Sequence, residues 1–328
     1  MTLNEAYAAY LKKYDTPHND FHVNVIRIFV GVLFAWKVMS RDFGFMGIVP
    51  HEFFYFYPIE IYPPKGIILI TGIPILMELV TFHWIHWITG FPSESVLTWL
   101  QFALAALGIL MAVIGRGPYR IFAIAAYVLA TYLWSFEFLS GQEIDSAMLL
   151  FGMLLVLCLC GYEDRPVWRF GQLIRKPETV AAGRAFSAIL LVFILYYGLS
   201  GYNKVADLTI TEWFSYNLIQ DIEVTLRRQE LGYYFGAPVP QFFALFVGHE
   251  WLNYILVPMV YISHLSIFIM FFRRRHILKF AAFYTVFHFF AEGTSISFTA
   301  YIVIWWALID WRGLFLRKVA TEVSVAAT

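Results

Sequence analysis

The sequence predicts an all-α membrane protein: a polytopic transmembrane helical bundle of about eight or nine spans with an aromatic-rich capping segment. The main observation is compositional. The 328 residues are 60% hydrophobic and 20% aromatic, and only 14% are charged. A soluble domain usually contains about 25% charged and about 45–50% apolar residues. This balance excludes a soluble globular enzyme, a disordered chain and a disulfide scaffold.

Apolar stretches long enough to cross a bilayer recur along the chain, which is the second observation. A spanning helix needs roughly 20 mostly apolar residues. The stretches that approach this length lie at 23–40, 66–90, 96–115, 120–139, 146–161, 183–202 and 251–272. The last apolar block, 277–310, would be about 51 Å of helix, too long for one crossing. Glu292-Gly293-Thr294 near its middle predicts two short helices.

These spans divide the chain into a polar N-terminal segment (1–22), a transmembrane domain (23–310) and a polar tail (311–328). We expect no cleavable signal peptide, because the N-terminus has no small-residue cleavage site after a short apolar core. The segment 41–65 is rich in aromatic residues and proline and is predicted to be interfacial. The segment 203–250 contains a helical stretch near Trp213–Arg228, which we expect to cover one end of the bundle.

The distribution of basic residues predicts the orientation. Cytoplasmic loops of membrane proteins carry an excess of lysine and arginine. The basic connections lie at 116–120, 162–184 and 272–279 and in the tail, and these are the cytoplasmic candidates. The acidic segments 140–145 and 203–250 belong on the other side. The side of the N-terminus stays open, because Lys12 and Lys13 conflict with the parity of nine spans.

The overall charge and the cysteines exclude several functions. Lys plus Arg equals Asp plus Glu at 23 each, so no basic excess is available to attract nucleic acid. Cys158 and Cys160 are two apart in an apolar run, a pattern typical of buried free thiols. His83 and His86 form a weak metal-ligand pattern, but the adjacent tryptophans favour an interfacial belt. We therefore predict no metal site.

Lys204, at the end of span 183–202, is the first candidate functional residue. A lysine at a membrane boundary usually extends to the headgroups, but an amine in a dry, apolar pocket can lose its charge and act as a base. Asn203 could orient it or stabilise an oxyanion. Gly198 and Gly201 would permit close helix packing or the approach of a flat ligand. Both interpretations of Lys204 stay open.

His288 and Glu292 are the second candidate pair. Residues four apart share a helix face, so the two side chains could form an acid/base couple, with the carboxylate orienting the imidazole. A buried pair that only fixes helix packing is the alternative. Arg27 and Lys37, near the two ends of span 23–40, are explained by side chains that extend to the membrane surface.

Several of these residues together resemble a known family. The string Y-Y-G-L-S-G-Y-N-K-V around Lys204, followed by Trp213, resembles the aromatic span of the vitamin K-dependent gamma-carboxylase and its bacterial relatives, the horizontally transferred transmembrane (HTTM) family. There, too, the span ends in a Gly-x-x-Lys-hydrophobic motif. Arg27 at the first span, Asp145 at the fifth and Phe287-His288 in a late span agree in order. The resemblance covers about residues 25–310.

The resemblance implies a function. Lys204 would be the base that deprotonates a vitamin K-like hydroquinone, and His288 would belong to the same catalytic core. Dioxygen would then react with the anion to give an epoxide. The expected cofactors are therefore a hydroquinone and dioxygen, without a metal. The residues expected to bind the substrate are Asn203, Gly201, Trp213, Glu292 and Phe287.

Two departures from the carboxylase shape this expectation. We expect no counterpart of the large lumenal domain that holds the glutamyl substrate of the carboxylase, and Asn203 stands where the carboxylase has a second lysine. We therefore expect epoxidase-type oxygenation rather than carboxylation, and a carboxylase-like lyase stays a lesser possibility. A non-enzymatic module that binds lipid or a partner is the alternative. A transporter ranks third, because the helix breaks do not recur in matching halves.

The expected partners are membrane lipid, a quinone-like small molecule and a separate soluble protein. The resemblance implies a location in a bacterial inner membrane.

Overall fold

The computed structural model describes residues 5, 12, 15–49, 90–114, 118–139, 145–160, 178–206, 218–230, 241–291 and 296–311. Helices make up most of this part of the chain. Its only β structure is one antiparallel pair of two-residue strands, β1 (His18–Asn19) and β2 (Glu178–Thr179). The prediction of an all-α fold is thus confirmed for the residues that the structure describes.

The α-helices are numbered in chain order. They are α1 (Asp20–Met39), α2 (Phe43–Met46), α3 (Glu94–Val113), α4 (Tyr119–Leu139), α5 (Asp145–Leu159), α6 (Val180–Ala206), α7 (Leu218–Glu230), α8 (Asn253–Ser266), α9 (Ile269–Phe272), α10 (Ile277–Ala291) and α11 (Ile296–Ala307). Short 3-10 turns lie at Gln241–Phe246, Glu250–Leu252 and Arg274–His276. Helix α1 therefore begins inside the segment that the sequence assigned to a polar N-terminus.

Four of the described helices are long and apolar enough to cross a membrane. They cover Asp20–Met39, Glu94–Val113, Tyr119–Phe136 and Val180–Gly198. They correspond to the predicted spans 23–40, 96–115, 120–139 and 183–202. The predicted span 66–90 lies outside the described residues, apart from Gly90.

The remaining predicted spans are shorter or interrupted. Helix α5, predicted at 146–161, has 15 residues. The predicted span 251–272 is divided between α8 and α9. The block 277–310 also forms two helices, since α10 ends at Ala291 and α11 begins at Ile296. The prediction of two short helices in this block is therefore confirmed.

Large apolar side chains on α3 face outward. Trp99 is 73% exposed, and Phe102 and Ile109 are 49% and 43% exposed. A helix on the surface of a soluble protein presents polar residues there, whereas a helix in a bilayer faces lipid. Helix α7 is different, because Ile219 is buried while Arg227 and Glu230 are exposed. Its polar face suits a position outside the apolar layer.

Two glycines bring α1 and α3 into close, antiparallel contact. A Cβ atom on Gly31 would lie 2.6 Å from the Gly108 carbonyl oxygen and 2.9 Å from the Ala112 Cβ. A Cβ on Gly108 would likewise lie 2.9 Å from the Gly31 carbonyl. Small residues at a crossing let two backbones approach closely, which is a common way to pack membrane helices.

Helices α1, α6 and α10 begin at the same end of the bundle, and α11 ends there. We call it the basal end. The strand β1, just before α1, pairs with β2, just before α6. Arg274, just before α10, donates a hydrogen bond of 2.6 Å to Ser187 in α6. His22 in α1 bonds to the carbonyl oxygen of Ala307 at the end of α11, 2.9 Å away. We call the opposite end the distal end.

At the distal end, Gln101 of α3 connects α1 to α2. Its amide nitrogen donates to the carbonyl oxygens of Val38 (3.0 Å) and Arg41 (2.7 Å). Its amide oxygen accepts a bond of 3.3 Å from the backbone N–H of Phe43. The side chain is 7% exposed, and it satisfies carbonyls at the end of α1 that have no partner within the helix.

Replacing Gly31 by leucine is expected to destabilise the bundle by about 1–3 kcal/mol, the usual cost of overpacking. The obstructing Gly108 carbonyl is backbone and cannot rotate away. The thermal unfolding midpoint in detergent would measure the effect. Val32→Leu, at a position 45% exposed, is the control and should leave the midpoint unchanged. Equal midpoints for the two variants would contradict the close approach.

Candidate functional site

Aromatic side chains from four helices meet inside the bundle. They are Tyr197 of α6, His264 of α8, Tyr284 of α10 and Trp305 of α11, and each is at most 3% exposed. We call these residues the aromatic cluster. The Tyr284 ring lies 4.9 Å from the Trp305 ring with only 7° between their planes. It also lies 4.4 Å from the Tyr197 ring.

The aromatic cluster also contains polar atoms. The indole N–H of Trp305 donates a hydrogen bond of 3.1 Å to the Tyr197 hydroxyl oxygen. The His264 ring lies 5.7 Å from the Tyr197 ring and 5.6 Å from the Tyr284 ring. A hydrogen bond is electrostatically stronger in such low-dielectric surroundings than in water. The cluster therefore fixes the four helices relative to one another.

A glycine beside the cluster permits close packing. Gly198, directly after Tyr197, faces Phe268, and a Cβ at this position would lie 2.4 Å from the Phe268 ring. The expectation that Gly198 allows close helix packing is confirmed.

The structure places the backbone of two predicted catalytic residues near the aromatic cluster. Lys204 is in the last turn of α6, about 10 Å along the helix from Tyr197 and on nearly the same face. His288 is in α10, about 6 Å from Tyr284 and one turn later. Because α6 and α10 both begin at the basal end, both positions lie on the distal side of the cluster.

The other predicted site residues are described less fully. Gly201 and Asn203 are in α6 and Phe287 is in α10. The side chains at these positions, and those of Lys204 and His288, are not among those the structure describes. Trp213 and Glu292 lie outside the described residues.

A second buried polar group, which the sequence analysis missed, lies at the basal end. His18 Nε2 is 2.7 Å from His22 Nδ1, and His22 Nε2 is 2.9 Å from the carbonyl oxygen of Ala307. A carbonyl can only accept, so neutral His22 carries its proton on Nε2 and accepts at Nδ1. His18 then donates from Nε2. The result is a directed chain of hydrogen bonds from β1 through α1 to α11.

The surroundings of this histidine pair hold it in place. The His18 ring stacks on Phe186, 4.3 Å between centroids and 9° between planes. The Arg274 guanidinium lies 5.5 Å from the centre of the same Phe186 ring. Beside the pair, Thr179 donates a bond of 2.5 Å to the Asp20 carboxylate. The pair therefore links the starts of α1 and α6 to the end of α11.

Burial lowers the pKa of His18 from 6.5 to about 3; the nearby His22 imidazole, when it is protonated, and the positive charge of Arg274 act in the same direction. His18 is thus neutral at physiological pH. The sequence offered only a weak signal for the pair, the spacing of four between residues 18 and 22, because His18 itself lies in β1, before α1 begins.

Arg27 does not extend to the membrane surface, so that expectation is wrong. The side chain is 1% exposed, and its guanidinium donates to the carbonyl oxygens of Met111 and, at 3.0 Å, Ile114. It also lies 5.2 Å from the centre of the Tyr119 ring. The physical reason is that the last carbonyls of α3 lack partners within the helix and attract a cation.

Lys37 is also buried, with 1% exposure. The expectation that it extends to the membrane surface is therefore wrong as well, and its side chain is enclosed by the bundle. Lys37 is enclosed because it lies on the inner face of α1. Its position near the end of an apolar span does not show which face of the helix is enclosed.

The two cysteines are free thiols, Cys158 buried and Cys160 partly buried. Among the residues that the structure describes, no group of three or more His, Cys, Asp or Glu side chains is arranged to hold a metal ion. His83 and His86 lie outside those residues.

Comparison of the chain with models of protein families, with curated proteins and with solved structures gives no match.

Below pH 6.5, His18 is expected to make folding stability depend on pH. Its native pKa is about 3 and its ordinary value 6.5, so the unfolded chain binds more protons in between. Stability then falls as the pH falls, by up to about 1.4 kcal/mol per pH unit from this group. Unfolding of the detergent-solubilised protein at several pH values would measure the slope.

His18→Gln keeps a donor toward His22 and should flatten this pH dependence. The matched control is His249→Gln, because His249 is exposed. The control should keep the wild-type slope. An unchanged slope in His18→Gln would show that His18 is not held neutral in the folded protein.

Proposed function

We propose that this protein is a multi-pass membrane protein that binds a hydroquinone-like lipid in the distal half of its bundle. Lys204 would act as the base. Its uncharged amine removes a phenolic proton, and the resulting anion reacts with dioxygen. Overall, one hydroquinone and one dioxygen give one quinone epoxide and one water.

The observation that supports this proposal best is the contact between Tyr197 and Tyr284, whose ring centroids are 4.4 Å apart. It joins α6 to α10, which run in the same direction. Positions 204 and 288 therefore lie on neighbouring helices, on the same side of the aromatic cluster and at similar depth. The two residues that the family resemblance implies for catalysis are about 80 positions apart in sequence, and the fold brings their helices together.

The chemistry of the surroundings supports the same assignment. Aromatic rings offer a hydroquinone flat faces for stacking. The proposal requires that Lys204 is held away from bulk water, because an apolar interior disfavours a charged amine and leaves a lysine free to accept a proton. Proton transfer by a well-positioned base typically contributes about 100-fold to 10,000-fold in rate.

The orientation in the membrane follows from the basal end. Arg184, Arg273, Arg274 and Lys279 all lie at or near this end, and basic residues favour the cytoplasm. The start of α1 lies there too, so the proposal places the N-terminal side in the cytoplasm, an issue the sequence left open. In a bacterium, the membrane would be the inner membrane.

Cysteine labelling tests this orientation. After replacement of Cys158 and Cys160 by alanine, single cysteines are introduced at the exposed positions Thr16 (basal) and Glu250 (distal). A membrane-impermeant maleimide should label Glu250→Cys in intact cells and Thr16→Cys only after permeabilisation. The reverse pattern would overturn the orientation.

The enzymatic proposal is tested with Lys204→Met in lipid nanodiscs, supplied with menadiol under oxygen. Loss of the proposed base should reduce epoxide formation about 100-fold or more, as followed by mass spectrometry and oxygen uptake. Lys279→Met, at an exposed lysine of α10, is the control and should retain wild-type turnover. Full turnover by Lys204→Met would rule out its role as the base.

A non-enzymatic module that binds lipid or a soluble partner is the second candidate. One observation favours it: Arg27, which contributes to the family resemblance, holds the end of α3 through its carbonyls. The presence of this arginine is thus explained by its structural role and does not require catalysis. In the nanodisc assay, this candidate predicts no oxygen uptake by the wild type, together with binding of lipid or partner that Lys204→Met leaves unchanged.

A further inference from the structure

The 3-10 turn before α8, α8 itself and α9 form one helical rod over residues 250–272, which we call the α8–α9 rod. Ile267 and Phe268, between the two helices, have right-handed helical backbone angles. Across this junction the backbone N–H of Met270 donates a bond of 2.9 Å to the carbonyl oxygen of Ile267. The backbone leaves the helical region only at Arg273. The interruption between α8 and α9 therefore leaves the chain running in one direction.

One side of the α8–α9 rod exposes large apolar side chains. The most exposed of them along α8 and α9 are Ile255, Met259, Ile262 and Ile269, at 51%, 48%, 66% and 47%. Intervals of four, three and seven residues keep these positions on one side of a helix. The polar side chains of Asn253 and His264 are buried on the other side, where His264 belongs to the aromatic cluster. The rod therefore forms a wall of the bundle with an apolar outer surface.

Charged residues occur only at the two ends of this wall. No Asp, Glu, Lys or Arg lies between Glu250 and Arg273 in the sequence, and both of these residues are exposed. At the distal end, Trp251 is 59% exposed and Tyr254 is 65% exposed. Tryptophan and tyrosine at the end of an apolar stretch are typical of the boundary between membrane and water.

The length of the wall fits a bilayer. Trp251 and Arg273 are about 33 Å apart along the rod at 1.5 Å per residue. The hydrocarbon core of a membrane is about 30 Å thick. Ile262, the most exposed of the four outward-facing residues, is midway between the two ends, where the hydrocarbon would be deepest.

The type of side chain on the outer surface favours lipid over a second copy of the chain. Membrane helices that pack together usually present small residues, which let their backbones approach. The crossing of α1 and α3 at Gly31 and Gly108 is of this kind. The outer surface of the α8–α9 rod instead presents isoleucine, methionine and leucine, which hold a neighbouring backbone away but pack well against acyl chains.

We propose that the α8–α9 rod crosses the bilayer as a lipid-facing wall, with Trp251 and Tyr254 among the lipid headgroups on the distal side. Arg273 lies at the level of the phosphates on the basal side, where its guanidinium can form charge-assisted hydrogen bonds. Indole and phenol rings combine an apolar body with a polar group, which suits them to the headgroup layer. This inference rests on the membrane part of the proposed function and does not depend on the hydroquinone chemistry.

The test attaches a nitroxide to single cysteines along the rod, in nanodiscs of phosphatidylcholine and phosphatidylglycerol. Cys158 and Cys160 are first replaced by alanine. The labelled variants are Glu250→Cys, Ile255→Cys, Ile262→Cys, Ile269→Cys and Arg273→Cys. Electron paramagnetic resonance then compares collisions with oxygen, which concentrates among acyl chains, and with a water-soluble nickel chelate. Oxygen should dominate most strongly at residue 262 and less toward each end, and nickel should dominate at residues 250 and 273.

Phe102→Cys is the control, because Phe102 is an outward-facing residue of α3 that is 49% exposed. If oxygen dominates at residue 102 but nickel at residue 262, the inference is overturned and the membrane part of the proposed function stands. If nickel dominates at both, both are overturned. Few collisions with either reagent at residue 262, or spin–spin broadening between two copies, would show that protein covers the wall and would also overturn the inference.

A measurement on the wild type covers the case in which a labelled variant does not fold. A phosphatidylcholine with a diazirine in its acyl chain is photoactivated in the same nanodiscs, and the modified peptides are identified by mass spectrometry. Adducts on the outward-facing residues of 253–272 would support the inference. Adducts on other helices, with none in this segment, would overturn it.

Discussion

The hydrogen bond from His22 to the carbonyl oxygen of Ala307 joins α1 to α11, and the arrangement of the described helices depends on this bond and its neighbours. A polar group that is buried without a hydrogen-bond partner costs about 1–3 kcal/mol. The need to pair each polar group at the basal end therefore restricts how the helices can pack more than apolar contacts do. The pairing of β1 with β2 and the bond from Arg274 to Ser187 extend the same constraint to α6 and α10.

These basal contacts determine the positions of distant residues along the bundle axis. Helices are rigid over this distance, so fixing one end of α1, α6, α10 and α11 fixes which residues share a level elsewhere. The stacked rings of Tyr284 and Trp305 show the result in the middle of the bundle. The distal positions then follow by helix geometry alone.

The sequence was sufficient to predict which segments form helices, but not which residues of each helix contact its neighbours. Length and composition identified α1, α3, α4 and α6, and Glu292-Gly293-Thr294 correctly indicated the division between α10 and α11. The polar character of residues 1–22 concealed the histidine pair, because His22 finds its acceptor 285 residues away. The same limit explains the errors at Arg27 and Lys37. A position near the end of a span suggests access to the membrane surface, yet only the packing of α1 shows which of its faces is enclosed.

The two buried cations of α1 differ in what they can do. Arg27 is surrounded by the last carbonyls of α3, and a guanidinium does not release its proton at any accessible pH. Its role is to fix two helices. Lys37 is also enclosed, but it lies in the last turn of α1, where the partially negative end of the helix favours a positive charge. The arginine that contributes to the family resemblance therefore has a role in the fold that needs no catalytic explanation.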